Sequence, residues 1–375
     1  YGRKRRFLWG MALFTVVSLL LAAAPGIFWL DVLRGVQGVA AATALASGCA
    51  ALAQEFDGHA RTRAFSLLGT TFGAGLAFGP LRSGLLIEHW GWRAIFLGTA
   101  LLAGLSLLFA APKMRESRDP QALRLDTAGV LTFSAMLVAL TTAVILAPEH
   151  GWASPVVDCL LVAAAVFLLV FILAEHRSSQ PMLELRLFRF PRFIGVQLLP
   201  IGTCYCYIVL IVLLPLRFIG VEGASALEAG LMMLALSAPM LVVPMIAASL
   251  TRWLSAGVLC AIGLLIAAAG LWGLSLANQP AQTVAAMLII GIGTGLPWGL
   301  MDGLAISVVP KERAGMAAGI FNTTRVASEG VALAITMAVL GALVAHHLRG
   351  SAAVDVSVIA QALVMGDVQQ ASTTV

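Results

Sequence analysis

Charge is scarce in this chain: Asp, Glu, Lys and Arg supply only 11% of its 375 residues, while apolar residues reach 60%. Soluble domains average about 25% charged and about 45–50% apolar residues, so a water-facing surface cannot be built here. Histidine and cysteine are scarce too. Cys49, Cys159, Cys204, Cys206 and Cys260 fall inside or beside apolar stretches without metal-ligand spacing, and read as small core residues rather than a disulfide framework or a metal centre. His59, His89, His150, His176, His346 and His347 lie in loops or at segment ends. None has the nucleophile or base partner that an intramembrane transferase or protease requires. No glycine loop of the ATPase type occurs, which leaves an ion gradient as the expected energy source and no cofactor.

What is abundant is apolar length. The mean hydropathy of +0.96 is spread over the whole chain, so bilayer is the expected solvent for most side chains. The net charge of +5 fits positive cytoplasmic loops better than a nucleic-acid partner. Crossing about 30 Å of hydrocarbon takes about 20 apolar residues in a helix. Eleven stretches qualify, near 7–24, 27–53, 63–87, 92–111, 126–147, 155–174, 193–218, 226–250, 254–276, 283–309 and 314–345. They lack the period-two alternation of a barrel, so an all-α integral membrane bundle is expected.

Basic residues then orient the bundle. If the GRKRR end is cytoplasmic, the loops on that side hold Arg3, Lys4, Arg5, Arg6, Arg61, Arg63, Lys113, Arg115, Arg118, Arg124, Arg177, Arg186, Arg189, Arg192, Arg252, Lys311 and Arg313, or 17 of the 23 Lys and Arg. The opposite side keeps Arg93 and Arg349. Positive charge resists translocation, which makes this a multi-pass cell-membrane protein with the residue-1 end inside. Tyr1 opens directly onto the basic run, so an N-terminal piece is expected upstream. Residues 175–192 alternate apolar and basic positions and are expected to lie on the cytoplasmic membrane surface as a connector. Residues 346–375 read as an external polar tail, cut before a last helix.

Ionisable residues inside the stretches are the functional candidates, because an intramembrane charge is costly without a cavity or partner. Arg34, Arg82, Arg217 and Arg325 are the cations; Asp302 and Glu329 are the acids of the last two segments. Arg325 stands one turn from Glu329 and can pair with it. In a continuous helix Asp302 would sit seven residues from the inner end, at about 10 Å depth, and Arg325 about 18 Å deep. Arg34 either faces a cavity or snorkels outward and pairs with Asp31.

Three patterns carry a family resemblance. GRKRRFL opens the chain, with Gly2, Arg3 and Lys4 in loop-motif positions. LDVLRGVQGVAAA places Gln37 and Gly38 three and four residues after Arg34. GLAFGPLRSGLL spaces Gly75, Gly79, Pro80 and Gly84 along one segment. The chain thereby resembles the major facilitator superfamily, and within it the drug:proton antiporters with fourteen spanning helices. The resemblance implies two six-helix halves plus two extra helices. Residues 1–111 would be helices three to six, 112–174 a loop and the extra pair, and 193–345 helices nine to thirteen. It also implies a small-molecule substrate, protons as the coupling ion, and a periplasmic adaptor protein in a Gram-negative cell. By the resemblance Arg34 would belong to proton coupling, and the Gly-Pro segment would be an antiporter hinge held close by Gly79; Asp302 and Glu329 do not fit the generic family pattern and are proton-coupling candidates, with Arg325, from their intramembrane position alone. A proton-coupled uptake permease for a nutrient is the competing expectation. The second loop motif, expected near Arg252, has Thr251 and Leu254 where an acid and a glycine belong.

Overall fold

The computed structural model describes residues 2–56, 58–114, 116, 126–151, 154–177, 189–309 and 314–348. Arg115, Arg118, Arg124, Arg186, Lys311, Arg313 and Arg349 of the charge pattern, positions 178–188 of the expected connector, and the tail beyond 348 lie outside the described residues.

Among the described residues every regular element is helical. The chain runs through α1 (Arg3–Ala22), α2 (Ile27–Glu55), α3 (Gly58–Trp90), α4 (Arg93–Lys113), α5 (Thr127–His150) and α6 (Pro155–Arg177). The next rod is composite: α7 (Pro191–Thr203), a π turn (Cys204–Ile208), α8 (Val209–Leu216) and a second π turn (Arg217–Val221). Then come α9 (Ala226–Ser237), α10 (Pro239–Leu250), α11 (Ala256–Ser275), α12 (Pro280–Trp298), α13 (Met301–Ser307) and α14 (Ala314–Leu348). Each of the eleven expected stretches carries one such rod. Among the described residues nine are long and apolar enough to cross a membrane. The other two, α2 and α3, run for 29 and 33 residues. The expected connector is shorter than its sequence suggests, because α6 runs on to Arg177 and α7 already starts at Pro191.

Local chemistry sets the ends. Asp126 caps α5 by accepting from the Gly129 amide at 2.9 Å, and Gly151 closes it with φ of +89°. Ser225 and Glu228 form a reciprocal capping box on α9: the Ser225 amide donates to Glu228 at 2.9 Å, and the Glu228 amide to Ser225 Oγ at 3.2 Å. Pro155, Pro191, Pro239 and Pro280 open α6, α7, α10 and α12, where a missing N–H costs nothing.

The helices gather into two compact units. One holds α1 to α4 together with Ser225–Leu231, the start of α9; the other holds α5 to α8, the rest of α9, and α10 to α14. Lipid gives apolar side chains no reason to leave it, so close backbone approach has to hold such helices together. In the first unit a Cβ on Gly10 of α1 would stand 2.8 Å from the Ala44 amide of α2. In the second, Gly263 of α11 and Gly293 of α12 face each other's backbone, with 2.6 and 2.7 Å from a built Cβ to the opposing carbonyl oxygen. The α12 rod is consequently the most enclosed of the nine. Leu108, Leu131 and Leu265 point outward, exposed, on the faces that lipid would cover.

Candidate functional site

In the first unit, polar chemistry centres on Arg34. Its guanidinium donates to Gln37 Oε1 at 2.9 Å, one turn along α2. Gln37 is buried and donates through Nε2 to Ser18 Oγ of α1 at 2.8 Å, and the Ser18 hydroxyl donates to the Phe14 carbonyl at 2.6 Å. Arg34 therefore turns toward Gln37 rather than Asp31. It lines a cavity of about 320 Å³ with Gln37, Gly38, Phe14, Phe96 and Thr99. That wall offers one cation, an amide, a hydroxyl and two aromatic rings. Ser18 was not visible as a functional residue in the sequence, where it sits inside an ordinary apolar run.

The motif glycines of α3 do not all do what their spacing suggests. Among the described residues nothing lies within 4 Å of a Cβ built on Gly75 or Gly79, so the close approach expected at Gly79 is not found there. The tight approach falls at Gly84, where a Cβ would strike the Ala226 carbonyl of α9. On the opposite side of the same contact, a Cβ on Gly230 would lie 2.9 Å from the Pro80 carbonyl oxygen. The reason is angular. Gly75 and Gly79 share one stripe of the helix, whereas five further residues rotate Gly84 about 140° away from Gly79. Glu88, one turn beyond Gly84, accepts from the Leu227 amide at 3.1 Å and so ties α3 to the first turn of α9. Glu88 was not visible as a functional residue in the sequence, where it stands just past the end of an apolar stretch.

Gly2, Arg3 and Lys4 form the start of α1: Gly2 is its N-cap and the other two lie in its first turn. The Glu116 carboxylate packs against Gly2. Arg82, a second cation within the stretches, lays its guanidinium against Gly98 of α4.

In the second unit the site forms where the α12 rod breaks. Pro297 and Gly299 end α12, with the Gly299 backbone pressed on Pro244 of α10, and the helix restarts at Met301. Asp302 thus stands in the first turn of α13, not inside a continuous helix as expected. Arg325 of α14 reaches it, with Nη1 3.5 Å from Oδ1. The guanidinium also donates to Asn322 Oδ1 at 2.8 Å and lies 5.7 Å from the centroid of the Trp298 ring. The pair is unequal: the Arg325 side chain is 18% exposed and that of Asp302 is 61% exposed. Glu329 stands a turn beyond Arg325 on α14. The remaining cation, Arg217, pairs with Glu222 at 2.8 Å where the second π turn ends.

Among the described residues, three side chains around this break carry buried polar atoms without a partner. The Tyr207 hydroxyl, the Trp298 indole nitrogen and both amide atoms of Gln197 make no hydrogen bond. Each unmade bond costs about 1–3 kcal/mol. Tyr207 lies in the first π turn, and its ring centroid is 6.4 Å from that of Trp298. The sequence could have flagged both residues by asking where a hydroxyl and an indole N–H find partners in lipid.

Long apolar helices in both units, with Arg34 and Arg325 paired to neighbouring side chains, define a multi-pass membrane protein. Residues 1–333 match the family model described as Major Facilitator Superfamily, and the chain belongs to that superfamily. It is 32% identical over 353 residues to the "Multidrug resistance protein Stp" of Mycobacterium tuberculosis (strain CDC 1551 / Oshkosh), covering 93% of this chain and 66% of that protein. It is 30% identical over 329 residues to the "Drug efflux pump JefA" of the same organism, covering 87% of this chain and 65% of that protein. The chain thus spans just under two thirds of the length of these curated relatives. In fold it resembles a solved POT family transporter in complex with 5-aminolevulinic acid, with TM-score 0.62 at 15% identity, over 100% of this chain and 80% of that one. The family and these relatives are transporters rather than enzymes.

Proposed function

We propose that the chain is most of a secondary active transporter that exports small amphipathic or toxic organic compounds in exchange for protons by alternating access. The observation that carries this reading is the Asp302–Arg325 pair at the α12 break. A carboxylate holds its proton less tightly when a guanidinium stands beside it. An exposed acid on a covered cation therefore has the property a coupling site needs: helix movement that parts them changes whether Asp302 is protonated. The Arg34–Gln37–Ser18 chain would play the corresponding part in the first unit, with Glu329 as the alternative acid in the second. The relatives' names, a multidrug resistance protein and a drug efflux pump, support export over nutrient uptake. The resemblance of the Gly-Pro segment to the family's antiporter motif supports it too, and the Gly84 and Gly230 contact gives that segment a second helix to move against.

On this reading the eleven rods are helices three to thirteen of fourteen, α5 and α6 are the extra pair, and the residue-1 end is cytoplasmic. The deciding experiment is a drug-susceptibility panel on cells expressing the full-length gene, with and without a protonophore. Resistance that vanishes with the protonophore supports proton-driven export. Uptake rather than extrusion by inverted vesicles corresponds to export in the cell, and the reverse direction would establish the uptake permease instead.

A further inference from the structure

We propose that Tyr207 and Trp298 form a substrate-recognition site for planar aromatic compounds that carry carbonyl or phenolic oxygen, resting on the export reading above. Both polar atoms are buried without a partner. Trp Nε1 can only donate and the Tyr hydroxyl can donate as well, so the pair matches oxygen acceptors rather than donors. The rings stand 6.4 Å apart and are tilted by 56°, so a flat ligand can present one face to one of them and its edge to the other. Arg325 already lies on the Trp298 ring, which leaves that aromatic surface suited to an electron-rich or oxygen-bearing guest more than to a second cation.

The backbone at this point is equipped to move. Cys204–Ile208 is a π turn between two α-helical stretches, an irregularity that concentrates at functional sites because it stores an extra residue per turn. Tyr207 is fully covered here. A ligand reaches its hydroxyl only in another conformation, so binding at this pair favours that conformation by its differential affinity. Recognition and the transport step are thereby coupled through the same turn. The Asp302–Arg325 pair, on the α13 and α14 sides of Trp298, stands next to the guest.

The test uses the full-length protein purified in detergent and two probes, tritiated 1,8-dihydroxyanthraquinone and ethidium, a planar cation without oxygen. Equilibrium binding of both is measured for wild type, Tyr207→Phe and Trp298→Phe, alongside thermal melting. The expected result is dihydroxyanthraquinone Kd raised at least about tenfold in each variant, with ethidium binding within about twofold of wild type. Equal losses for both probes overturn the assignment, as does unchanged dihydroxyanthraquinone binding in Tyr207→Phe; a higher melting temperature of that variant then marks the hydroxyl as only an unsatisfied group. Absence of dihydroxyanthraquinone binding by wild type overturns it too. Protonophore-sensitive ethidium extrusion by the same full-length protein reads the export proposal separately from every one of these outcomes.

Discussion

Gly84 of α3 meets the carbonyl of Ala226 so closely that no Cβ fits between them, while Gly79, five residues earlier, faces open space. The two glycines of one motif therefore do different work. Replacing Gly84 with leucine forces α3 away from α9 or strains both, at a cost of about 1–3 kcal/mol or more. The expected outcome is a protein that inserts poorly or melts several degrees lower, with export lost. Gly79→Ala should stay within about twofold of wild type in vesicle export. Equal damage from the two substitutions would mean that spacing, not contact, governs the motif.

Glu88 adds a polar tie to that contact, since its carboxylate accepts from Leu227 while Ser225 and Glu228 already cap the helix. Glu88→Gln keeps an acceptor of the same shape and should leave export near wild type, whereas Glu88→Leu leaves an amide at the α9 N-terminus without its side-chain partner. The loss expected in Glu88→Leu is modest, about 0.5–2 kcal/mol, because the site is exposed and water can substitute. Thermal melting of the two variants side by side reads the difference.

Gln37 is the link between a cation and a buried hydroxyl, so its removal should cost more than removal of either end alone. Gln37→Leu strands the Arg34 guanidinium without its 2.9 Å acceptor, an effect of about 1.5–3 kcal/mol for a bond to a charged group. Ser18→Ala leaves the Arg34–Gln37 bond intact. We expect export to fall at least about tenfold in Gln37→Leu and by less than about threefold in Ser18→Ala, measured in everted vesicles at matched protein levels. A reversed order would remove Gln37 from the coupling chain.

Orientation is testable without transport. A reporter active only in the cytoplasm should work when fused after Arg189 and fail after Gln279, as the distribution of 17 of 23 basic residues requires. Cytoplasmic activity at Gln279 would invert the bundle.

The rods were legible because a helix in lipid must be apolar for its whole length, and apolar runs survive as a one-dimensional signal. Their interruptions were not. The π turns after Thr203 and Leu216 and the break between Trp298 and Met301 depend on which backbone groups find neighbours. Pro297 and Gly299 were visible in the sequence, but only the press of Gly299 on Pro244 tells that the helix stops there. Arg34 with Gln37, and Arg325 with Asp302, could be named from intramembrane charge. Ser18 and Glu88 could not, since each is ordinary in its own segment and acquires meaning from a residue on another helix; Tyr207 and Trp298 carried only the general signal of a hydroxyl and an indole N–H that need partners in lipid.

Asp302 is where the export proposal is most exposed to disproof. Its carboxylate is the outer, accessible member of a pair whose cation is held by Asn322 and stacked near Trp298. Arg325 is thus fixed from two sides, and Asp302 is the member free to leave. Movement at the α12–α13 break, where two residues separate the helices, would carry Asp302 off the guanidinium and let it take a proton; return would expel it. Asp302→Asn keeps the size and a hydrogen-bonding oxygen for Arg325 but cannot exchange a proton. The expected variant inserts normally and binds ethidium within about twofold of wild type, yet its export no longer responds to the pH gradient or to a protonophore. Glu329→Gln, made in parallel, should retain that response, because Asn322 and Asp302 still hold the cation. If Asp302→Asn exports at the wild-type rate and still collapses with the protonophore, Asp302 is a structural partner of Arg325 and the proton moves elsewhere.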